Sequence, residues 1–139
     1  MVQQLSIFLE NKKGHLTGAT KVLSDNNINM HALVIAENAE YGLLRVICDA
    51  PKVAAQVLED AGYRAIVTDV TAVKIPNTPG ALSKLLASLD DVNIEYAYCF
   101  ANTADDCAID VLKINDDSAH DIITKAGFEI LDASDVYAD

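Results

Sequence analysis

Two short stretches carry the residue types that could hold a charged small molecule: Asn11-Lys12-Lys13-Gly14-His15-Leu16 and Asn77-Thr78-Pro79-Gly80-Ala81-Leu82. They share the frame Asn-x-x-Gly-x-Leu, with the glycines at positions 14 and 80. Each glycine stands between an alternating apolar run and a run of helical period, so each is expected at a strand-to-helix turn. Such a turn leaves unpaired backbone N–H groups at the helix start, where the partial positive charge favours an anion. The chemistry on offer is therefore recognition, of a carboxylate above all. Catalysis has little support. No Ser-His-Asp or Cys-His arrangement is indicated, no phosphate loop occurs, and the pairs Asp90-Asp91, Asp105-Asp106 and Asp116-Asp117 fall at helix ends or loops, where solvated turns are expected. His15, His31 and His120 lack the close spacing of a metal site. The chain is read as a non-enzyme with no cofactor and no metal.

The elements around these turns follow from periodicity. Leu5 to Leu9 reads as a strand leading into the first turn; Leu16, Ala19 and Leu23 recur at helical spacing, and Asp25-Asn26-Asn27 should stop that helix. Ile28 to Ile35 and Leu43 to Cys48 read as strands joined by a hairpin loop at Glu37-Asn38-Ala39-Glu40. Pro51 suits the first turn of a helix striped by Val53, Val57, Leu58 and Ala61, with Gly62 just past its end. Arg64 to Val70 closes the first set. The second half repeats the order: strand Thr71 to Ile75, the Gly80 turn, a helix with Leu82, Leu85, Leu86 and Leu89, strands from Ile94 to Ala101 and from Ala108 to Ile114, a helix with Ala119, Ile122, Ile123 and Ala126, and a last strand opening at Glu129 to Leu131. The echo of Ala61-Gly62-Tyr63 in Ala126-Gly127-Phe128 is spaced by 65, one less than the anchor glycines, so one residue is lost in a hairpin loop between them. The fold class is α+β: two tandem ferredoxin-like β-α-β-β-α-β repeats, residues 1–70 and 71–139, with antiparallel sheets and helices on one face. There is no room for a linker between Val70 and Thr71.

Composition limits the partners. Of the 139 residues, 51% are hydrophobic, ample for a core. The formal charge of −11 repels nucleic acid and anionic lipid, and no apolar run approaches a membrane span, so neither is a partner and a cytoplasmic location is the simplest expectation. Cys48, Cys99 and Cys107 are an odd number without paired spacing and are expected to act as small hydrophobes. Tyr96, Tyr98 and Phe100 alternate along one strand, as aromatics do in some RNA-binding sheets. The aromatic-flanked basic consensus is missing, however, and the aromatic row is expected to pack against protein. Arg45 and Asp110 take equivalent third-strand positions and are expected to be paired with each other or, more simply, solvated. Leu43, Leu44, Val46 and Ile47 make both faces of that strand apolar, which points to a homodimer.

Pro79-Gly80-Ala81-Leu82, followed by Leu85, Leu86, Leu89 and Val92-Asn93-Ile94, resembles the opening of an ACT domain, a small regulatory module of amino-acid metabolism. Gly14-His15-Leu16 followed by Asn27-Ile28-Asn29-Met30 resembles it too, with Lys13 where the pattern has proline. The resemblance covers essentially the whole chain, as a free-standing pair of ACT repeats. It implies a free amino acid as ligand, held at the interface between the repeats near the glycine turns, with contacts from the turn of one repeat and the start of the second strand of the other. By position the contacts are Asn11, Lys12, Gly14, His15 and Leu16, with Asn29, in the first repeat, and Asn77, Gly80, Ala81 and Leu82, with Glu95, in the second. The expected function is a non-catalytic amino-acid sensor. The alternative is a subunit that docks on an amino-acid biosynthetic enzyme without a ligand of its own, as acetolactate synthase small subunits do. A small enzyme on this scaffold is the weakest reading.

Overall fold

The computed structural model describes residues 1–10, 12–36, 41–102 and 105–139. The elements are β1 (Val2–Glu10), α1 (His15–Asp25), β2 (Met30–Ala36), β3 (Tyr41–Cys48), α2 (Pro51–Asp60), β4 (Arg64–Pro76), α3 (Ala81–Ser88), β5 (Ile94–Asn102), β6 (Cys107–Ile114), α4 (Ala119–Lys125), β7 (Glu129–Leu131) and α5 (Ala133–Val136). By its contacts the chain divides into two units, one of Gln3–Asp69 with Ala133–Asp139, the other of Val70–Asp132 with Met1–Val2.

In the first unit the strand order is β2-β3-β1-β4, with β3 antiparallel to both its neighbours. Alternation along β1 and β3 sends Leu5, Ile7, Leu9, Leu44, Val46 and Cys48 into one core with Ala19 and Leu23 of α1 and Ala54 and Leu58 of α2. In the second unit the order is β5-β6-β4-β7, again antiparallel. Its core joins Val73, Ile75 and Leu112 to Leu85 and Leu89 beneath α3 and to Ala119 and Ile123 of α4. Each large aliphatic side chain so buried contributes roughly 1.5–3 kcal/mol. That outweighs local strain such as Ala50, which starts α2 from a left-handed φ of 43° at a cost of about 1–2 kcal/mol. Both units are the expected β-α-β-β-α-β arrangement of the α+β class.

The structure departs from the sequence reading in three places. Arg64 to Val70 and Thr71 to Ile75, expected as two strands, are the single strand β4, because no Gly or Pro interrupts the run from Val67 to Ile75. Asp110, expected to be solvated, is 1% exposed: its strand neighbours Ala108 and Leu112 belong to the core beneath the helices, and it shares that face. Ile47 is fully buried within the chain itself, so the apolar strand β3 does not by itself call for a second copy. The Glu37-Asn38-Ala39-Glu40 loop lies outside the described residues.

Candidate functional site

Both glycine turns form as expected. Gly14 begins α1 at φ 82° and Gly80 begins α3 at φ 88°, the left-handed region where other residues are strained. Among the described residues no side chain caps either helix start. Asn77, an expected ligand contact, donates from Nδ2 to Asp106 Oδ1 at 3.4 Å.

Around the Gly80 turn the second unit opens a cavity of about 680 Å³. It is lined by the end of β4, by the turn and the first residues of α3, by Asp105, Asp106 and the start of β6, and by the residues that lead from α4 into β7. Antiparallel pairing explains the convergence, since Pro76 at the end of β4 pairs with Cys107 at the start of β6, and Lys74 pairs with Glu129 of β7. Five charged side chains line it: Lys74, Lys84, Asp105, Asp106 and Glu129. Lys74 Nζ lies 3.2 Å from Asp105 Oδ2, and that hydrogen bond holds the lysine above its ordinary pKa. Among the described residues Lys84 has no side-chain partner, so a free cation and carboxylates line one cavity. Chemically, the lysine could take an anionic group and the carboxylates a cationic one.

The expected contact residues separate as follows. Gly80 and Ala81 line the cavity and Asn77 adjoins it through Asp106. Leu82 points away, into a shallow hollow with Ser83, Leu86, Ala87 and Asp90. Glu95 lies beside the first residue of β5, and Ile94 pairs with Ile114, seven residues and so about 23 Å along β6 from Cys107, which lines the cavity. There it accepts a hydrogen bond from Asn115. In the first unit Asn11 lies outside the described residues. Lys12 pairs with Glu10, and His15 Nδ1 accepts the Glu10 N–H at 3.0 Å. Leu16 is exposed, and Asn29 sits at the other end of the unit, lining a hollow of about 340 Å³ with Ser24, Asn27, Ile28 and Met30. Within either unit, the turn residues and the second-strand residue do not meet. Sequence reading missed Lys74, Lys84, Asp105, Asp106 and Glu129. Lys84, one helical turn beyond Gly80 on the same face, was the legible one.

Other reactive groups are quiet. Burial pushes the Cys48 and Cys99 thiols up to about 12, with Asp49 and Asp110 adding to it, so neither is a thiolate near neutral pH. Among the described residues no cluster of three or more His, Cys, Asp or Glu is placed to hold a metal ion, and no helix is long and apolar enough to cross a membrane.

Residues 1–138 match the family model described as an ACT domain pair. Among solved structures the chain is similar to protein BT0572 from Bacteroides thetaiotaomicron, 43% identical with a TM-score of 0.89 over 97% of this chain and 94% of that one. It is also similar to the regulatory subunit of aspartate kinase from Thermus thermophilus in its ligand-free form (17% identity, TM-score 0.67, 90% and 92% covered). The corresponding subunit from Thermus flavus is similar as well (18%, 0.62, 89% of each). The two Thermus likenesses are likenesses of fold. Among curated proteins none matches.

Proposed function

The chain belongs to the ACT domain family, as an ACT domain pair, and from that premise we propose that it is a non-catalytic sensor of a free amino acid. The observation that carries the proposal is the cavity of about 680 Å³ at the Gly80 turn, lined both by Lys84, which has no side-chain partner among the described residues, and by Asp106 and Glu129. The ligand's carboxylate docks at Lys84 and the start of α3, beside Gly80 and Ala81, and its ammonium at the carboxylates. Charge-assisted hydrogen bonds contribute roughly 1.5–3 kcal/mol each, so two or three give affinity in the micromolar to millimolar range that metabolite sensing needs. Ligand that prefers one arrangement of the protein then shifts its population and alters affinity for a partner.

Thermal unfolding against each of the twenty amino acids tests this directly. At a hundredfold excess over Kd a ligand stabilises the chain by about 2.7 kcal/mol, a rise of several degrees. One amino acid, or a chemically related few, is expected to raise the midpoint, and Lys84→Ala to remove the rise while leaving the unliganded midpoint within about half a kcal/mol of the parent. A flat response to all twenty rejects the sensor reading.

A second reading, a subunit docked on a biosynthetic enzyme, is supported by Leu33 and Ile35 on the edge strand β2, which stay 43% and 47% exposed. The Thermus proteins are named regulatory subunits of aspartate kinase. Co-purification with an enzyme at fixed stoichiometry, together with the flat response, favours it.

A further inference from the structure

Position by position, the open cavity of the second unit has a filled counterpart in the first. With the offset of 66 ahead of the shortened loop and 65 after it, Lys84 corresponds to Gly18, Lys74 to Phe8, Phe128 to Tyr63 and Glu129 to Arg64. In the second unit these residues stand around the empty space. In the first they close on one another. The Tyr63 hydroxyl lies against α1 at Gly18, so close that a methyl group built on that glycine would overlap it. The His15 ring packs tilted against Tyr63 with centroids 5.3 Å apart, and its Nδ1 is held by the Glu10 N–H. The Arg64 guanidinium sits 5.3 Å over the Phe8 ring. Tyr63 also packs against the first unit's core, so it is seated from both sides. The pair of exchanges is chemically coherent. Gly18 removes the cation that Lys84 supplies, and it leaves on the helix the room that a tyrosine hydroxyl needs.

We propose that Tyr63 is a built-in plug that closes the first unit's glycine turn to ligands, so that the chain carries one amino-acid site, at the second unit's turn, and not two. The inference rests on the reading of the Gly80 turn as the amino-acid site. The first turn keeps the backbone geometry of a site, with its glycine at a left-handed φ, yet its interior is occupied by the protein's own side chains. The doubled sequence frame is thus not a doubled function.

Two measurements on the full chain separate this proposal from the one beneath it. Isothermal titration with the amino acid that most raises the unfolding midpoint should give one equivalent per chain; two equivalents overturn the plug. Without any ligand, Gly18→Ala should lower the midpoint in the parent, where the new methyl meets the hydroxyl. In a Tyr63→Phe background it should raise the midpoint, because the nearest remaining ring atom is an ordinary 3.5 Å away and alanine is the better helix former. Tyr63→Phe places at this position the residue its twin already carries, so folding is preserved. The same sign in both backgrounds overturns the contact on which closure depends. If none of the twenty amino acids binds and the sign still reverses, the amino-acid reading falls while the closed first turn stands.

Discussion

Asp110 is the residue whose environment most opposes its chemistry. Its Oδ1 accepts a hydrogen bond from Cys99 Sγ at 3.1 Å, its Oδ2 is buried with no hydrogen-bond partner among the described residues, and burial pushes its carboxyl above the ordinary value while the Cys99 bond pulls the other way. The folded state therefore holds the proton more tightly than the unfolded chain does. The contribution is fully present below the ordinary carboxylate pKa and is lost as pH rises through the raised one. Asp110→Asn keeps the shape and the acceptor for Cys99 but cannot ionise. It is expected to raise the unfolding midpoint near neutral pH by a few degrees, about 1 kcal/mol, and to have little effect at pH about 4. Equal shifts at both pH values would show that Asp110 is not strained by ionisation. Nothing in the sequence marked this residue as buried, because Asp in a strand reads as an outward position until the register places it beside Val73.

At the scale of elements, the segment after β7 was the least legible. α5 and the residues beyond it group with the first unit although they follow the second in sequence. Tyr137, 7% exposed, accepts the Gln3 N–H at 3.1 Å, the Ala50 N–H donates to the Ala138 carbonyl at 2.8 Å, and Asp49 Oδ1 takes both the Ala138 N–H at 2.8 Å and His31 Nε2 at 2.7 Å. His31, chiefly, and the Ala138 amide hold the Asp49 carboxyl below its ordinary value. Its stabilisation is thus present above the ordinary carboxylate pKa and lost as pH falls through the lowered one. Asp49→Ala should cost about 1 kcal/mol, discounted for exposure, and should speed amide hydrogen exchange in residues 133–139. Unchanged exchange there would mean that Tyr137 alone secures the segment. No periodicity announces such a clip, since its partners lie 89 residues apart and meet only through the fold.

At the scale of the whole molecule, a homodimer through the β2 edge is a proposal that a mass measurement tests. Leu33 and Ile35 lie on the edge strand β2, paired with Val46 and Leu44, whose side chains the first unit's core has already covered. A parent that sediments at the mass of one chain rejects the dimer; for a parent at twice that mass, Leu33→Lys combined with Ile35→Lys is expected to halve it without lowering the unfolding midpoint of the monomer, and an unchanged mass rejects the β2 edge as the contact. The chain by itself determined the twofold β-α-β-β-α-β order, the two glycine turns and most element bounds. Those depend on local periodicity and on backbone conformations that neighbouring residues dictate. The resemblance carried by Pro79-Gly80-Ala81-Leu82 added the family. Tertiary structure decided which turn is open. Lys84 and Gly18 look like unremarkable helix positions until the fold brings Tyr63, 45 residues further along, against Gly18 and leaves Phe128 and Lys84 around open space. Identical frames then become one cavity and one plug, because side-chain volume across an interface is a property of pairs and sequence spacing does not reveal the partner.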